Sequence, residues 1–271
     1  MDRTYVVTGS ASGIGAATAQ WLARAGARVI GCDLHDADVI ADLASEAGRA
    51  ALADGVARVS GGRVDGVIAN AGGGPPETML QLNFFGAVAT LQRLRPLLAK
   101  SDAPRAVAVS SIGSMREDTA GLIEACLAMD EEAAVAGAWR AYEAGALGRG
   151  ADDGMPDAAQ VPLALYGAAK AALQRWCRKT APTPEWAGAG ITLNVVALGF
   201  YDTPGAAYLL GDPERRAATA ELSPLAGSFP GRPEAAAALL AWLAGPDNTQ
   251  MTGQILFADG GFECRVREEK D

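Results

Sequence analysis

Thr4-Tyr5-Val6-Val7-Thr8-Gly9-Ser10-Ala11-Ser12-Gly13-Ile14-Gly15 is a short β-prone run closed by three spaced glycines, and it leads straight into the helix-prone stretch 16–25. Glycines at a strand-to-helix turn let the backbone approach a pyrophosphate, and the helix N-terminus behind them offers free N–H groups and a positive dipole end. The spacing is Gly-x3-Gly-x-Gly rather than GxGxxG. Its place between a strand and a helix marks Gly9, Ser12, Gly13, Ile14 and Gly15 as a dinucleotide-binding loop and not merely a tight turn.

The same rhythm continues outward from this loop. β-branched or aliphatic runs recur at 28–32, 66–69, 106–109, 192–197 and 254–257, with Ala- and Leu-rich stretches between them. Strands alternating with helices imply βαβ units and a parallel sheet, and continuously apolar strands imply helices on both faces. The expected fold class is therefore α/β: a doubly wound, Rossmann-like parallel sheet. The whole of 1–271 reads as a single domain with no internal repeat or dividing linker. Two regions break the rhythm. A helical insertion covers 116–162, with a Leu122, Ile123, Cys126, Leu127 stripe followed by Gly- and Asp-rich chain, and an irregular connection covers 200–233. A long connection at the carboxyl end of a strand suits a substrate loop.

Asp33 follows the second strand, 18 positions after Gly15, where a carboxylate can accept hydrogen bonds from adenosine ribose hydroxyls and repel a 2′-phosphate. No basic residue directly follows Ser10 or Asp33, so NAD is expected over NADP. Asp42 and Leu43, after a third short strand, are expected either to contact adenine or to form a turn at a helix start. Tyr166 and Lys170 stand four residues apart, on one helical face. An ammonium beside a phenol favours the phenolate, so Lys170 is expected to lower the Tyr166 pKa and make an acid/base usable near neutral pH.

Composition narrows the classes further. A formal net charge of -9 opposes binding to phosphate backbones and anionic lipid, so neither nucleic acid nor membrane is expected as a partner. Cys32, Cys126, Cys177 and Cys264 show no CxxC spacing, which suits reduced thiols in the cytoplasm. With His35 the single histidine, no zinc cluster or His-based triad can be assembled, so no metal is expected. The N-terminus shows no targeting or transmembrane signal.

These motifs together resemble the short-chain dehydrogenase/reductase family. Along with the glycine loop and Tyr166-x3-Lys170, the chain has Asn70-Ala71-Gly72 at a strand end, Asn83 in Leu-Asn-Phe-Phe-Gly, Ser110-Ser111 after the fifth strand, Asn194 after Gly-Ile-Thr-Leu, and Asp259-Gly260-Gly261, all in family order. The resemblance implies a catalytic tetrad of Asn83, Ser111, Tyr166 and Lys170. In it Ser111 holds a carbonyl oxygen that Tyr166 protonates, Lys170 also holds the nicotinamide ribose, and Asn83 helps bind a water linking Lys170 to solvent. It favours Ser111 over Ser110, with Ser114 an open alternative. It adds Asn70, Ala71, Gly72, Gly199 and Thr203 to the cofactor contacts, Thr203 at the carboxamide. The family's usual Pro-Gly is here Leu198-Gly199, and Ala69 replaces the first Asn of Asn-Asn-Ala-Gly, which alters loop geometry rather than reacting groups.

The run Asp33-x2-Asp36-Ala-Asp-Val-Ile-Ala-Asp-Leu, the Asn-Phe-Phe-Gly run and the insertion look like the bacterial 3α-hydroxysteroid dehydrogenase/carbonyl reductase subgroup. That implies NAD(H)-dependent interconversion of a secondary alcohol and a ketone on a hydrophobic carbonyl or hydroxysteroid-like substrate. Phe200, Tyr201, Tyr208, Leu209 and Leu210 are expected either to wall that substrate or to pack a lid. The alternatives are a catalytically silent dinucleotide-binding sensor or scaffold, and a family member catalysing elimination or dehalogenation. Ser111 and Tyr166 are 55 positions apart, against little more than a dozen in the family. The insertion is expected to emerge on the cofactor side. There it walls the cleft, or obstructs the helical surface that builds family tetramers and leaves a homo-oligomer, a dimer through another surface, or buries its stripe within its own subunit.

Overall fold

The computed structural model describes residues 3–118, 120–147 and 157–268. Much of the Gly- and Asp-rich part of the insertion lies outside them. Seven strands form one sheet: β1 (Thr4–Thr8), β2 (Arg28–Asp33), β3 (Val39–Ile40), β4 (Gly66–Ala69), β5 (Arg105–Ser111), β6 (Thr192–Leu198) and β7 (Ile255–Ala258). Every pairing is parallel, in the order β3-β2-β1-β4-β5-β6-β7. The helices are α1 (Gly13–Arg24), α2 (Glu46–Ser60), α3 (Ala87–Leu98), α4 (Leu122–Leu127), α5 (Glu131–Glu143), α6 (Asp157–Thr180), α7 (Ala207–Leu210), α8 (Pro213–Glu221), α9 (Pro233–Leu243) and α10 (Phe262–Glu268).

Alternation along each central strand explains why the apolar runs were unbroken. Val6, Val67, Ala106, Ala108, Leu193 and Val195 point into one core, shared with α2, α3 and α6. Tyr5, Val7, Ile68, Val107, Val109 and Val196 point into the other, beneath α1 and α9. With both faces covered, period-2 polarity has no reason to appear.

Strand order reverses between β1 and β4, and such a switch point opens a crevice at the carboxyl edge of a sheet. Thr8, at the end of β1, closes its floor. The Thr8 hydroxyl accepts the backbone N–H groups of both Asn70 and Ala71 at 3.0 Å, and the Asn70 side-chain amide donates back to the Thr8 carbonyl at 3.0 Å.

Both rhythm breaks have structure. The insertion forms α4 and α5. Leu122, Ile123 and Cys126 are buried in the core shared with α6, as are Ala134 and Ala138 of α5, so the stripe is covered within its own chain. The 200–233 connection is not irregular. It holds α7 and α8, and its two ends are joined where Tyr201 bridges to Gly231 and the Tyr201 hydroxyl donates to the Ala258 carbonyl at 3.1 Å.

Thr8→Val keeps the shape of the side chain but leaves two part-buried N–H groups without that acceptor. It should lower unfolding stability by about 2–4 kcal/mol, measured by denaturant titration. Thr8→Ser keeps the hydroxyl and should cost only about 1 kcal/mol.

Candidate active site

Gly9 and Gly13 take φ of 70° and 53°, the left-handed region open to glycine. Gly15 is required for a different reason: a Cβ there would lie 1.9 Å from the Gly9 carbonyl oxygen and 2.6 Å from the Asn70 amide nitrogen. The loop is therefore pressed against the end of β4. The helix begins at Gly13, earlier than the sequence suggested, with Ser12 as an extended N-cap whose side chain makes no capping bond. The N–H groups of the first turn are left to bind a ligand. Ile14 anchors this turn on the α1/α9 core.

The adenosine side follows from β2. Asp33 accepts the Ala11 N–H at 2.8 Å with one carboxylate oxygen and the Leu34 N–H at 2.7 Å with the other. This fixes its carboxylate beside the loop. The Ser10 hydroxyl oxygen, buried against Gly31, has no hydrogen-bonding partner among the described residues. An orphaned hydroxyl, an uncapped helix start and a glycine cradle suit a dinucleotide. Asp42 and Leu43 form the turn: Asp42 accepts the Ala44 N–H at 3.0 Å, and the Leu43 side chain is buried in the core, so Leu43 offers the cleft only backbone. Across the cleft, Thr203 lies 3.4 Å from the Cβ position of Gly13, and a Cβ on Gly199 would fall 2.6 Å from Asp259 Cα.

The other predicted residues gather at the ends of β4 and β5. Tyr166 is partly buried beside Ser111, which hydrogen-bonds its phenol. Ser110 instead donates to the Lys170 carbonyl at 3.1 Å, and Ser114 donates to the Ser111 carbonyl at 2.7 Å. Of the three serines, Ser111 is the one placed to bond the Tyr166 phenol. Asn83 sits in a π-helical segment, Gln81–Gly86, ahead of α3. Its amide donates to the Gly73 and Met79 carbonyls at 2.9 and 2.8 Å, and its oxygen accepts the Gly73 N–H at 3.0 Å. The place a Gly72 side chain would take is bordered by Asn83 Oδ1 at 2.8 Å and Lys170 Nζ at 3.1 Å. Glycine at 72 keeps the space between them open.

One expectation is corrected. In the protein alone the Tyr166 pKa is raised, not lowered: burial outweighs the hydrogen bond from Ser111, and the nearby Tyr208 phenol adds to the rise. Lys170 is fully buried. Its ammonium lies 5.5 Å from the Tyr166 ring centroid and donates to the Val109 carbonyl at 2.9 Å. Burial pushes its own pKa down to about 8.

One contributor escapes the sequence reading. Gln174 donates to Ser110 at 3.0 Å and to Ser114 at 2.7 Å, anchoring the segment after β5. Its i+4 spacing from Lys170 was the available signal. Tyr208 is among the expected wall or lid residues, and the structure separates it from its neighbours. Phe200 packs on Phe229 and Phe262, Tyr201 ties down the loop, and the half-exposed Tyr208 is near enough to Tyr166 to help raise its pKa.

A short chain dehydrogenase model matches residues 3–122, and an enoyl-(acyl carrier protein) reductase model matches residues 153–263. The unmatched stretch between them holds most of α4 and all of α5. The chain is 34% identical to the 3-alpha-hydroxysteroid dehydrogenase/carbonyl reductase of Comamonas testosteroni, over 97% of each chain. Its structure is similar to the 3-alpha-hydroxysteroid dehydrogenase of Pseudomonas sp. B-0831 complexed with NADH, with a TM-score of 0.84, 33% identity, and coverage of 98% of this chain and 99% of that one. It is also similar to the Pseudomonas aeruginosa RhlG/NADP active-site complex, with a TM-score of 0.72, 29% identity, and 96% of each chain covered.

A lysine whose folded pKa is depressed destabilises the fold while it stays charged, and the penalty fades as pH rises from about 8 toward its ordinary 10.5. Lys170→Met should therefore gain most on the parent at pH 7. The gap in unfolding free energy should narrow by about 3 kcal/mol between pH 7 and pH 10.5. A gap independent of pH would contradict the burial argument.

Proposed function

The chain belongs to the short-chain dehydrogenase/reductase family, and we propose that it is an NAD(H)-dependent oxidoreductase interconverting a secondary alcohol and a ketone. The observation that carries this reading is the convergence of Asn83, Ser111, Tyr166 and Lys170 at the carboxyl edge of the sheet, next to an open glycine cradle.

The bound dinucleotide supplies the hydride donor or acceptor. Gly9, Ser12, Gly13, Ile14 and Gly15 hold its phosphates, Asn70, Ala71 and Gly72 line the cleft floor, and Gly199, Thr203, Tyr166 and Lys170 enclose the nicotinamide end. At the other end Asp33 takes the ribose hydroxyls, with Asp42 and the Leu43 backbone near the adenine. Ser111 donates to the substrate oxygen, and Tyr166, whose burial holds its pKa above the ordinary phenol value, donates the proton during reduction. Pre-placed donors meet charge as it develops on that oxygen. Lys170 and Asn83, facing one another across Gly72, provide the proton's exit.

Asp33 supports the preference for NAD. With both carboxylate oxygens engaged by backbone N–H groups, it has little freedom to turn away from a 2′-phosphate. No lysine or arginine occurs at 34–38 to accept that phosphate. The 200–233 loop, with Tyr208 near Tyr166, supports a hydrophobic carbonyl or hydroxysteroid-like substrate, as do the names of the relatives. The same proposal takes 1–271 as one catalytic unit, cytoplasmic and homo-oligomeric, with α4 packed on α6 favouring a dimer through another surface. No described helix is long and apolar enough to cross a membrane. Four converging proton-handling groups leave no support for a silent sensor.

Tyr166→Phe should cut turnover roughly 10²- to 10⁴-fold while retaining NADH binding; near-normal turnover with the fold intact would remove Tyr166 from its role. In steady-state assays over a ketone and alcohol panel, oxidation should speed up as pH rises above neutral, since the raised Tyr166 pKa must be overcome to form the phenolate. Reduction should be flat near neutrality and fall in alkali. The parent should favour NADH over NADPH in kcat/KM, and Asp33→Ala should narrow that gap. A parent that prefers NADPH would overturn the reading of Asp33.

A further inference from the structure

We propose that Glu131, carried by the insertion, is a positioning residue for dinucleotide binding, acting through the buried guanidinium of Arg49. This rests on the dinucleotide site proposed above.

Arg49 lies in α2, and only 3% of it is exposed. Its Nε donates to the Leu43 carbonyl at 2.8 Å, and its Nη2 to the Gln81 carbonyl at 2.9 Å and the Ala44 carbonyl at 3.3 Å. Glu131 completes the set with both carboxylate oxygens: one meets Nη2 at 3.0 Å and the other meets Nη1. Among the described residues, Glu131 is the one carboxylate in ion-pairing distance of Arg49.

The partners are informative. Leu43 and Ala44 belong to the turn after β3, at the adenosine end of the cleft. Gln81 opens the π-helical segment that carries Asn83, next to Lys170. The two pieces touch at Gly86, where a Cβ would sit 2.7 Å from the Leu43 carbonyl oxygen and 3.2 Å from that of Gln81. Arg49 thus ties the adenosine turn to the segment serving the proton path. A buried guanidinium bonded only to carbonyls would be an uncompensated charge, and such charges are strongly destabilising. Glu131 neutralises it from the first turn of α5, where the helix dipole favours a carboxylate. The two residues are 82 positions apart, so the insertion reaches the far side of the cofactor site.

The geometry gives the insertion a task beyond covering its own stripe. Without the Glu131 carboxylate, Arg49 would move toward water and release the carbonyls of Leu43, Ala44 and Gln81. The adenosine turn would loosen, while the reacting groups at Ser111 and Tyr166 stay in place. Dinucleotide affinity should fall more than the rate at saturation.

The test compares Glu131→Gln with the parent and with Glu132→Gln, an exposed neighbour, using NADH and AMP as probes in fluorescence and calorimetric titrations. Glu131→Gln should weaken both ligands about tenfold, within the usual range of coupling between sites, and raise the KM for the dinucleotide by a larger factor than it lowers kcat. Hydrogen exchange should quicken at amides 43–46 and 81–86 and not uniformly across the core, as global destabilisation would require. Glu131→Asp should restore part of the affinity, and it also serves as the test variant if Glu131→Gln does not fold. Unchanged NADH and AMP affinity in folded Glu131 variants, or an equal loss in Glu132→Gln, would overturn the role of Glu131 and leave the dinucleotide site standing. A parent that binds neither probe would overturn both.

Discussion

The hydrogen bonds from the Asn70 and Ala71 amides to the Thr8 hydroxyl hold together the ends of two strands from which the chain then departs in different directions. Everything at the carboxyl edge depends on that junction. It brings the β4 end close enough to the glycine loop that residues 9 and 15 tolerate no side chain, and it places Gly72 where Asn83 and Lys170 face each other. The crevice exists because strand order reverses there; its chemistry exists because the strand ends on either side carry small or hydrogen-bonding residues.

Local patterns were legible in the sequence, and long-range pairings were not. The glycine loop, the strand sequence and the Tyr166 and Lys170 spacing depend on residues close in the chain or on a recognisable order of motifs. The partner of Arg49 lies 82 positions away, and no periodicity announces it. The direction of the Tyr166 pKa was misread for a related reason. Spacing shows that an ammonium is near, but the outcome depends on how much water the fold removes, and here burial wins. The 200–233 connection looked irregular because its helices are short and its ends are joined only in three dimensions, at Tyr201 and Gly231.

The site sets stability against chemistry. Lys170 is charged and enclosed, with the Val109 carbonyl as its one hydrogen-bonding partner among the described residues, and its pKa falls accordingly. The surroundings are correspondingly firm. Gln174 and the Ser110, Ser111 and Ser114 hydroxyls lace the segment after β5 to α6, and Asn83 is bonded on both sides of its amide. A proton-transfer group is useful when its neighbours cannot relax around it.

Hydrogen exchange with and without saturating NADH is the most direct measurement of whether this edge of the sheet holds a nicotinamide dinucleotide over Tyr166. Protection is expected at 9–15, 70–73 and 199–204, the three stretches that border the crevice. Protection confined to other surfaces, or none at all at NADH concentrations that support turnover, would contradict it.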